Sequence, residues 1–193
     1  DTLLKALARL RRASFHPATP FELHIAGEGE QRGRLEGLID RHGLADIVQL
    51  VGFTAQPRQF LARLHLYVQP SRSEGLCIAV HEAMQAGLPV IGSAVGEMPY
   101  SIEHGRTGLV VPPDDDEALS FALARYFRAP QELGAIGAAA RERVNQKFSR
   151  QAFEATGRAV FDRVAALLPA GSSAPRPAAS RAHCDRSASH RST

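Results

Sequence analysis

Tryptophan is absent from this chain, and cysteine is rare. The 193 residues include two cysteines, Cys77 in the body of the chain and Cys184 in a polar tail. Such unlike contexts favour free thiols, so we expect a reducing compartment, the cytoplasm, rather than a secreted disulfide scaffold. No apolar run is long enough to span a bilayer, and the first residues show no signal-peptide pattern.

The body of the chain also lacks the excess of positive charge that nucleic-acid binding requires. The chain has 23 Lys and Arg and 20 Asp and Glu, and residues 1–168 hold 19 of each kind. The positive surplus therefore lies in residues 169–193. A nucleic-acid-binding domain needs a basic face on its folded body, so we expect no nucleic-acid partner.

Short apolar runs alternate with amphipathic stretches through most of the chain. The pattern predicts helix 2–13, strand 21–26, helix 30–42, strand 47–51, helix 57–63, strand 65–69, helix 76–86, strand 88–92, helix 99–103, strand 108–111 and helices 115–128, 131–146 and 150–168. Brief, nearly continuous apolar runs are typical of strands covered on both faces. The alternation predicts an α/β, Rossmann-like, doubly wound parallel sheet with a helical C-terminal part.

The length is that of one domain, which we assign to residues 1–168. Residues 169–193 contain Ala, Ser, Pro and Arg but no Leu, Ile, Val or Phe. They cannot bury enough apolar area to offset the entropy of ordering, so we predict a disordered tail whose removal leaves stability unchanged. The chain begins at Asp1, directly in a helical pattern and without methionine, which suggests a piece of a longer protein.

Two carboxylates, Glu74 and Glu82, stand eight positions apart around a glycine and an apolar segment. A helix that starts after Gly75 would present unpaired N–H groups and a positive dipole end, which suit an anion such as a pyrophosphate. Eight helical positions would separate the carboxylates by about 12 Å along the axis. A glycosidase pair stands about 5–9.5 Å apart. We therefore interpret the segment as a holder for a sugar, a diphosphate and a ribose.

This segment resembles the E-x7-E motif of the retaining glycosyltransferases of the GT-B fold, the group 1 or family 4 set. Further motifs follow in the order of that family over about residues 1–145. They are Ala26-Gly27-Glu28-Gly29, Val51-Gly52-Phe53, Val68-Gln69-Pro70-Ser71, Glu82-Ala83-Met84-Gln85-Ala86-Gly87-Leu88-Pro89-Val90 and Gly105-Arg106-Thr107-Gly108-Leu109-Val110-Val111. The resemblance implies the C-terminal, donor-binding domain of an enzyme that transfers a sugar from a UDP- or GDP-linked donor to an acceptor hydroxyl, with retention of configuration.

The resemblance also implies roles for individual residues. Glu74 would contact hydroxyls of the donor sugar and Glu82 the ribose, while the amides of Cys77 and Ile78 would meet the phosphates. The loop at residues 52–54 would lie beside the nucleobase. The residues expected to bind the donor are Gly27, Gly52, Phe53, Thr54, Gly75, Leu76, Cys77 and Ile78.

The sequence argues against four other kinds of site: a dinucleotide site, a metal site, a pyridoxal-phosphate site and a catalytic histidine. Arg32 stands where a dinucleotide fingerprint needs its third glycine, which argues against NAD. The acidic run 114–117 is better explained as a capped helix start than as a metal site, so we expect neither a metal nor a cofactor. The two lysines of the body lie outside the predicted site loops, which argues against the pyridoxal-phosphate phosphorylases that share this fold. We expect His81 to be a core or surface histidine rather than a catalytic one.

Alternative functions stay open at this point. They are a nucleotide-sugar epimerase of the same fold, a non-catalytic nucleotide-sugar-binding module, and a fragment with no function of its own. By the family resemblance, a basic Arg/Lys pair and the acceptor-binding half would precede Asp1. We therefore expect this chain alone to bind a nucleotide sugar weakly and to transfer nothing, with any peripheral membrane association supplied by the missing half.

Overall fold

The computed structural model of the chain describes residues 1–167, which form the predicted succession of helices and strands. The elements are α1 (Thr2–Arg12), β1 (Leu23–Ala26), α2 (Arg32–Arg41), β2 (Val48–Gly52), α3 (Pro57–Leu61), β3 (Tyr67–Gln69), α4 (Ile78–Gln85), β4 (Val90–Ser93), α5 (Met98–Ser101), β5 (Gly108–Val111), α6 (Asp116–Arg128), a 3-10 turn (Pro130–Glu132), α7 (Leu133–Lys147) and α8 (Arg150–Leu167). Each predicted element is present, with its ends displaced by up to two residues.

Every strand pair of the described residues is parallel. β1 pairs with β2, with Leu23 opposite Val48. The other strands lie in the order β3-β4-β5, with Ile91 of β4 paired to both neighbours. The hydrogen bonds thus form a pair and a triplet of strands rather than one ladder, while the α/β, Rossmann-like alternation with parallel strands is as predicted.

Two hydrophobic clusters hold the helices against the strands. The first joins α1 and α6 to the strands and includes fully buried Leu4, Ile91 and Leu119. Each such side chain contributes about 1.5–3 kcal/mol by leaving water. The second cluster joins α4, β4, α5 and α7 and includes Val80 and Met84 of α4. Because one face of α4 is buried in this way, the position of its N-terminus is set by the core.

Residues 1–153 form one compact unit, and a second unit begins at Glu154. The described part of the second unit is the rest of α8, and no side chain of α8 is buried. No helix of residues 1–167 is long and apolar enough to cross a membrane. The tail predicted to be disordered at residues 169–193 lies outside the described residues, as does Cys184, so those expectations stay predictions.

Candidate donor-binding site

Most of the predicted site residues lie in loops that follow strands, while Gly52 ends β2 and Ile78 and Glu82 lie in α4. Residues 27–31 follow β1, residues 53–56 follow β2, and residues 70–77 follow β3. A further loop, residues 94–97, follows β4. Ligands of open parallel α/β sheets bind outside the carboxyl ends of the strands, which is where these loops lie.

A chain of hydrogen bonds leads along β3 to Glu74. The Tyr67 hydroxyl donates to Gln69 Oε1 at 2.6 Å. The Gln69 amide nitrogen donates to Glu74 Oε1 at 3.0 Å, and the Ser71 hydroxyl donates to the same oxygen at 2.6 Å. Tyr67 and Gln69 share one face of β3, because alternate residues of a strand point the same way, and Ser71 follows in the loop. The carboxylate of Glu74 is therefore oriented by the protein before any ligand arrives.

Burial keeps the first donor of this chain protonated. Burial, together with the neighbouring Cys77, Glu74 and Glu82, raises the pKa of Tyr67 to about 12. Burial likewise raises the pKa of the Cys77 thiol, with the Glu74 carboxylate adding to the effect. Cys77 is thus a free, buried thiol that stays neutral at physiological pH and is not a nucleophile.

Helix α4 begins later than the sequence predicts, and this corrects the geometry of the motif. The helix starts at Ile78 rather than at residue 76, because Cys77 adopts the left-handed conformation with φ 50° and ψ 66°. Gly75 and Leu76 therefore lie in the preceding loop. The spacing of about 12 Å along a helix axis does not apply, since Glu74 is not on the helix. Glu74 is not a helix cap either, because the cap position is Cys77 and no side chain caps α4.

The later start leaves a row of free amides. Within residues 1–167 the N–H groups of Cys77, Ile78 and Ala79 have no acceptor, and the next one, that of Val80, bonds Cys77 O at 3.0 Å. Unpaired amides at the positive end of a helix favour an anion. Two of these three amides, those of Cys77 and Ile78, are the ones that the family resemblance assigns to the phosphates.

Glu82 lies just over one turn into α4. Its side chain is half-buried, and it forms no hydrogen bond or ion pair with any residue of the described chain. The buried neighbours Ala83 and Met84 face the core. A carboxylate in this position has unused acceptor capacity, which suits hydroxyl groups of a ligand.

A glycine that the sequence reasoning missed holds the Glu74 loop in place. Gly96 has φ +54°, and a Cβ there would lie 2.4 Å from Glu74 O and 2.5 Å from Gly75 O. The next residue, Glu97, donates its N–H to Gly75 O at 3.0 Å. The loop after β4 thus packs its bare backbone against the backbone of the carboxylate loop. The sequence signal was a glycine two residues before Met98-Pro99, within a loop that followed a strand.

The two predicted donor-side loops, after β1 and β2, contact each other. Gly27 donates its N–H to Gly52 O at 2.8 Å. Gly52 has φ +74°, and a Cβ there would lie 2.6 Å from Glu28 Oε1. Residues around Gly27 line a cavity of about 290 Å³ beside α2. No hydrogen bond within residues 1–167 joins these two loops directly to the Glu74 loop.

The side chains of this second loop differ in exposure. Phe53 is 78% exposed, so its ring is available to a flat ligand, whereas Thr54 is half-buried. Leu76 and Ile78 of the predicted set are also exposed, at 50% and 64%. These exposed apolar side chains are therefore accessible to a ligand.

His81 contacts two neighbouring side chains of the described residues. Its Nε2 lies 2.6 Å from Ser101 Oγ, at hydrogen-bond distance, and its ring stacks on Phe148 with 4.1 Å between centroids. Burial lowers the pKa of His81 below its usual value of 6.5, and Glu97 opposes this effect in part. The imidazole is thus held neutral between α4, α5 and the end of α7.

This burial predicts a stability effect of pH. Unfolded His81 binds a proton more tightly than folded His81, so its contribution is complete above about pH 6.5 and is lost as the pH falls towards the folded pKa. We expect the melting temperature to fall less between pH 7.5 and 5.5 in His81→Gln than in the parent chain. His65→Gln, at an exposed histidine, is the control and should keep the parental pH dependence. Equal slopes for the parent and His81→Gln would contradict this interpretation.

The acidic run after β5 starts a helix, as predicted. The Asp115 carboxylate accepts from the N–H of Ala118 at 2.8 Å and caps α6. Asp116 pairs with Arg9 of α1, and Asp114 pairs with Arg72 at 2.7 Å. Within residues 1–167 no group of three or more His, Cys, Asp or Glu side chains is arranged to hold a metal ion.

The sequence resembles those of known sugar transferases. The family model described as glycosyl transferases group 1 matches residues 1–143. The putative colanic acid biosynthesis glycosyltransferase WcaL of Salmonella typhimurium is 32% identical over 141 residues, which are 68% of this chain and 35% of that protein. The MMP alpha-(1->4)-mannosyltransferase of Mycolicibacterium hassiacum is 31% identical over 171 residues, 87% of this chain and 40% of that protein. The chain thus spans well under half the length of these relatives.

Solved structures share the fold. Sucrose-phosphate synthase from Thermosynechococcus elongatus matches 86% of this chain with a TM-score of 0.69 and 28% identity, over 43% of its own length. Anabaena HepE, solved in complex with UDP-glucose, matches 81% of this chain with a TM-score of 0.68 and 25% identity, over 44% of its length. These likenesses confirm the predicted fold class, the Rossmann-like half of a GT-B glycosyltransferase.

Proposed function

Because the chain belongs to the glycosyl transferases group 1 family, we propose that it is the donor-binding half of a retaining glycosyltransferase. The proposed donor is a nucleotide diphosphate sugar, and the proposed reaction transfers its sugar to an acceptor hydroxyl. One observation carries the proposal most directly. A carboxylate oriented by Gln69 and Ser71 precedes a row of free amides at the start of α4.

The chemistry of each group suits one part of such a donor. The amides of Cys77, Ile78 and Ala79 would stabilise the negative charge that develops on the departing diphosphate. Glu74 would accept hydrogen bonds from sugar hydroxyls, and its fixed carboxylate would spend little entropy on binding. Glu82 would accept from the ribose. In the proposed reaction the bond between the sugar and the diphosphate breaks, and a bond to the acceptor oxygen forms on the same face of the sugar. The proton of the acceptor hydroxyl passes to the departing diphosphate.

The nucleobase is proposed to lie at the loops after β1 and β2. Phe53 offers an exposed ring there. Stacking of an aromatic ring on a nucleobase of any type stabilises a complex by about 1–3 kcal/mol. A Cβ at Gly27 would meet no atom within 4 Å, so a base could approach the backbone closely at that position. The structure of HepE in complex with UDP-glucose supports a nucleotide-sugar ligand for the fold.

Catalysis by this chain alone is not part of the proposal. The chain spans 35–40% of the curated relatives reported above, and a GT-B reaction takes place between two domains. Without the second wall there is neither acceptor positioning nor exclusion of water. We propose that the isolated chain binds donor weakly and transfers nothing. A nucleotide-sugar epimerase of the same fold, or a non-catalytic binding module, would differ from a transferase in the part of the protein that lies outside this chain.

A panel of UDP- and GDP-linked sugars, followed by ligand-observed NMR and by product formation, tests the proposal. We expect weak binding of at least one donor, with no product. Rapid turnover by the 193-residue chain would contradict the half-enzyme interpretation. Failure to bind any nucleotide sugar would favour a fragment with no function of its own.

Replacing Gly75 with valine tests the approach of the phosphates. A Cβ at Gly75 meets no atom within 4 Å, and its φ is outside the left-handed region, so Gly75→Val should fold normally. The added branches would obstruct an anion in front of the amides. We expect UDP or GDP affinity to fall about 10-fold or more, the scale of one charge-assisted hydrogen bond, while nucleoside affinity changes little.

The matched control is Gly134→Val, at an equally open glycine in α7. It should leave both affinities unchanged. Equal losses of nucleoside and nucleotide affinity in Gly75→Val would indicate general distortion instead of a blocked anion site.

A further inference from the structure

The Glu74 loop itself contains a cation, Arg72, that is not among the residues that the sequence motif assigns to the donor. Arg72 precedes Glu74 by two residues, in the loop after β3. Its side chain is 67% exposed. The guanidinium uses one donor, because Nε bonds Asp114 Oδ1 at 2.7 Å. Its terminal amino groups have no hydrogen-bond partner within residues 1–167.

Asp114 fixes where this charge lies. It follows β5, whereas Arg72 follows β3, and β4 lies between those strands. The two side chains therefore meet across the carboxyl end of β4. The strands that precede them, β3 and β5, are two strand spacings apart, or roughly 10 Å. Asp114 is itself positioned by a left-handed backbone, with φ 58°, and by Thr2, whose hydroxyl donates to Oδ1 at 3.3 Å. The neighbouring Arg72 guanidinium holds the pKa of Asp114 below its usual value, so the carboxylate stays charged.

We propose that Arg72 binds the diphosphate of the donor through its terminal amino groups, while Asp114 holds the guanidinium across the sheet edge. This inference rests on the proposed function. A guanidinium has five donors in a planar fork that matches phosphate oxygens in pairs. With Nε used by Asp114, the two terminal groups are left to point at a ligand. A full positive charge would then complement the partial charges of the amides at Cys77, Ile78 and Ala79.

Four variants of the 193-residue chain separate this role from a purely structural one. Arg72→Gln removes the charge, and Arg72→Lys keeps the charge but loses the fork. Asp114→Asn removes the carboxylate, and asparagine tolerates the left-handed backbone there. Arg125→Gln, at an exposed arginine of α6, is the control for a loss of net charge. The probes are UDP, GDP, uridine and guanosine, with affinities measured by ligand-observed NMR and folding checked by melting temperature.

We expect Arg72→Gln to weaken UDP or GDP binding about 10–100-fold, up to loss of the signal, with nucleoside binding unchanged. Arg72→Lys should recover part of that loss. Asp114→Asn should weaken diphosphate affinity less than Arg72→Gln does, because the guanidinium keeps its charge but loses the carboxylate that holds it. Arg125→Gln should bind as the parent does.

The contrary results are distinct. If Arg72→Gln binds the diphosphates as the parent does, the inference about Arg72 is wrong and the proposed function stands. If Arg72→Gln and Asp114→Asn lose nucleoside and diphosphate affinity equally, the pair is a structural latch and the inference is again wrong. If the parent chain binds neither UDP nor GDP, both the inference and the proposed function are overturned.

Discussion

Replacing Gly96 with alanine is expected to destabilise the chain by about 2–5 kcal/mol and to displace the Glu74 loop. Two costs add. A residue with a Cβ in the left-handed region costs about 1–2 kcal/mol, and φ of Gly96 is +54°. Overpacking costs about 1–3 kcal/mol, and the new Cβ would stand 2.4 Å from Glu74 O and 2.5 Å from Gly75 O. Both obstacles are backbone atoms, which cannot rotate away.

Gly105 supplies the matched control for this experiment. Its φ of +84° is also left-handed, but a Cβ there would meet no atom within 4 Å. Gly105→Ala should therefore carry the backbone cost alone, about 1–2 kcal/mol. The difference between the two variants in urea or thermal unfolding isolates the clash. Similar destabilisation of both variants would show that the Gly96 contact is not a constraint on the carboxylate loop.

The Gly96 variant also predicts a functional difference. The carbonyl of Gly75 accepts from Glu97, so a displaced loop would move the free amides together with Glu74. We expect Gly96→Ala to lose nucleotide affinity at a temperature where it is still folded, and Gly105→Ala to keep it. This comparison links the packing of the loop after β4 to the site after β3.

Replacing Glu82 with alanine is expected to weaken nucleotide affinity about 10–100-fold with little change in melting temperature. Hydrogen bonds to charged groups are worth about 1.5–3 kcal/mol, which sets this range. The stability should hold because the Glu82 carboxylate has no partner within residues 1–167 that its loss would leave unpaired. Glu82→Gln keeps the shape and some acceptor capacity, so its loss should be smaller.

Gln85→Ala is the control on the same helix, since Gln85 is exposed at the far end of α4. Isothermal titration calorimetry with UDP and GDP, and with the matching nucleosides, provides the readout. If Glu82 contacts the ribose, nucleosides and nucleotides should lose affinity alike, unlike in the Gly75 and Arg72 variants. Unchanged affinity in Glu82→Ala would overturn the assignment of this residue to the donor.

The three kinds of variant together show which part of a ligand each residue contacts at the carboxyl ends of the strands. A loss confined to diphosphates identifies groups that contact phosphate, such as the amides in front of Gly75 or the guanidinium of Arg72. A loss shared with nucleosides identifies contacts to the ribose or base, as proposed for Glu82 and Phe53. A loss accompanied by a lower melting temperature identifies residues that hold the loops, such as Gly96.

The order and type of the elements could be predicted from sequence, because they depend on local patterns. Apolar runs such as Val90-Ile91 and Leu109-Val110-Val111 form strands covered on both faces, and the amphipathic stretches between them form helices. The left-handed conformation of Cys77 could not be predicted, since such a residue is ordinarily glycine or asparagine. That single residue moved the start of α4 from residue 76 to Ile78.

The amino-acid sequence specifies which residues carry charge and hydrogen-bonding capacity near each strand end, including the two carboxylates eight positions apart. How those residues are held depends on the folded chain. The contact of Gly96 with the Glu74 loop and the pairing of Arg72 with Asp114 join residues 22 and 42 positions apart. Contacts of that kind depend on which strand ends become neighbours, and this follows from packing of the whole core rather than from any local pattern.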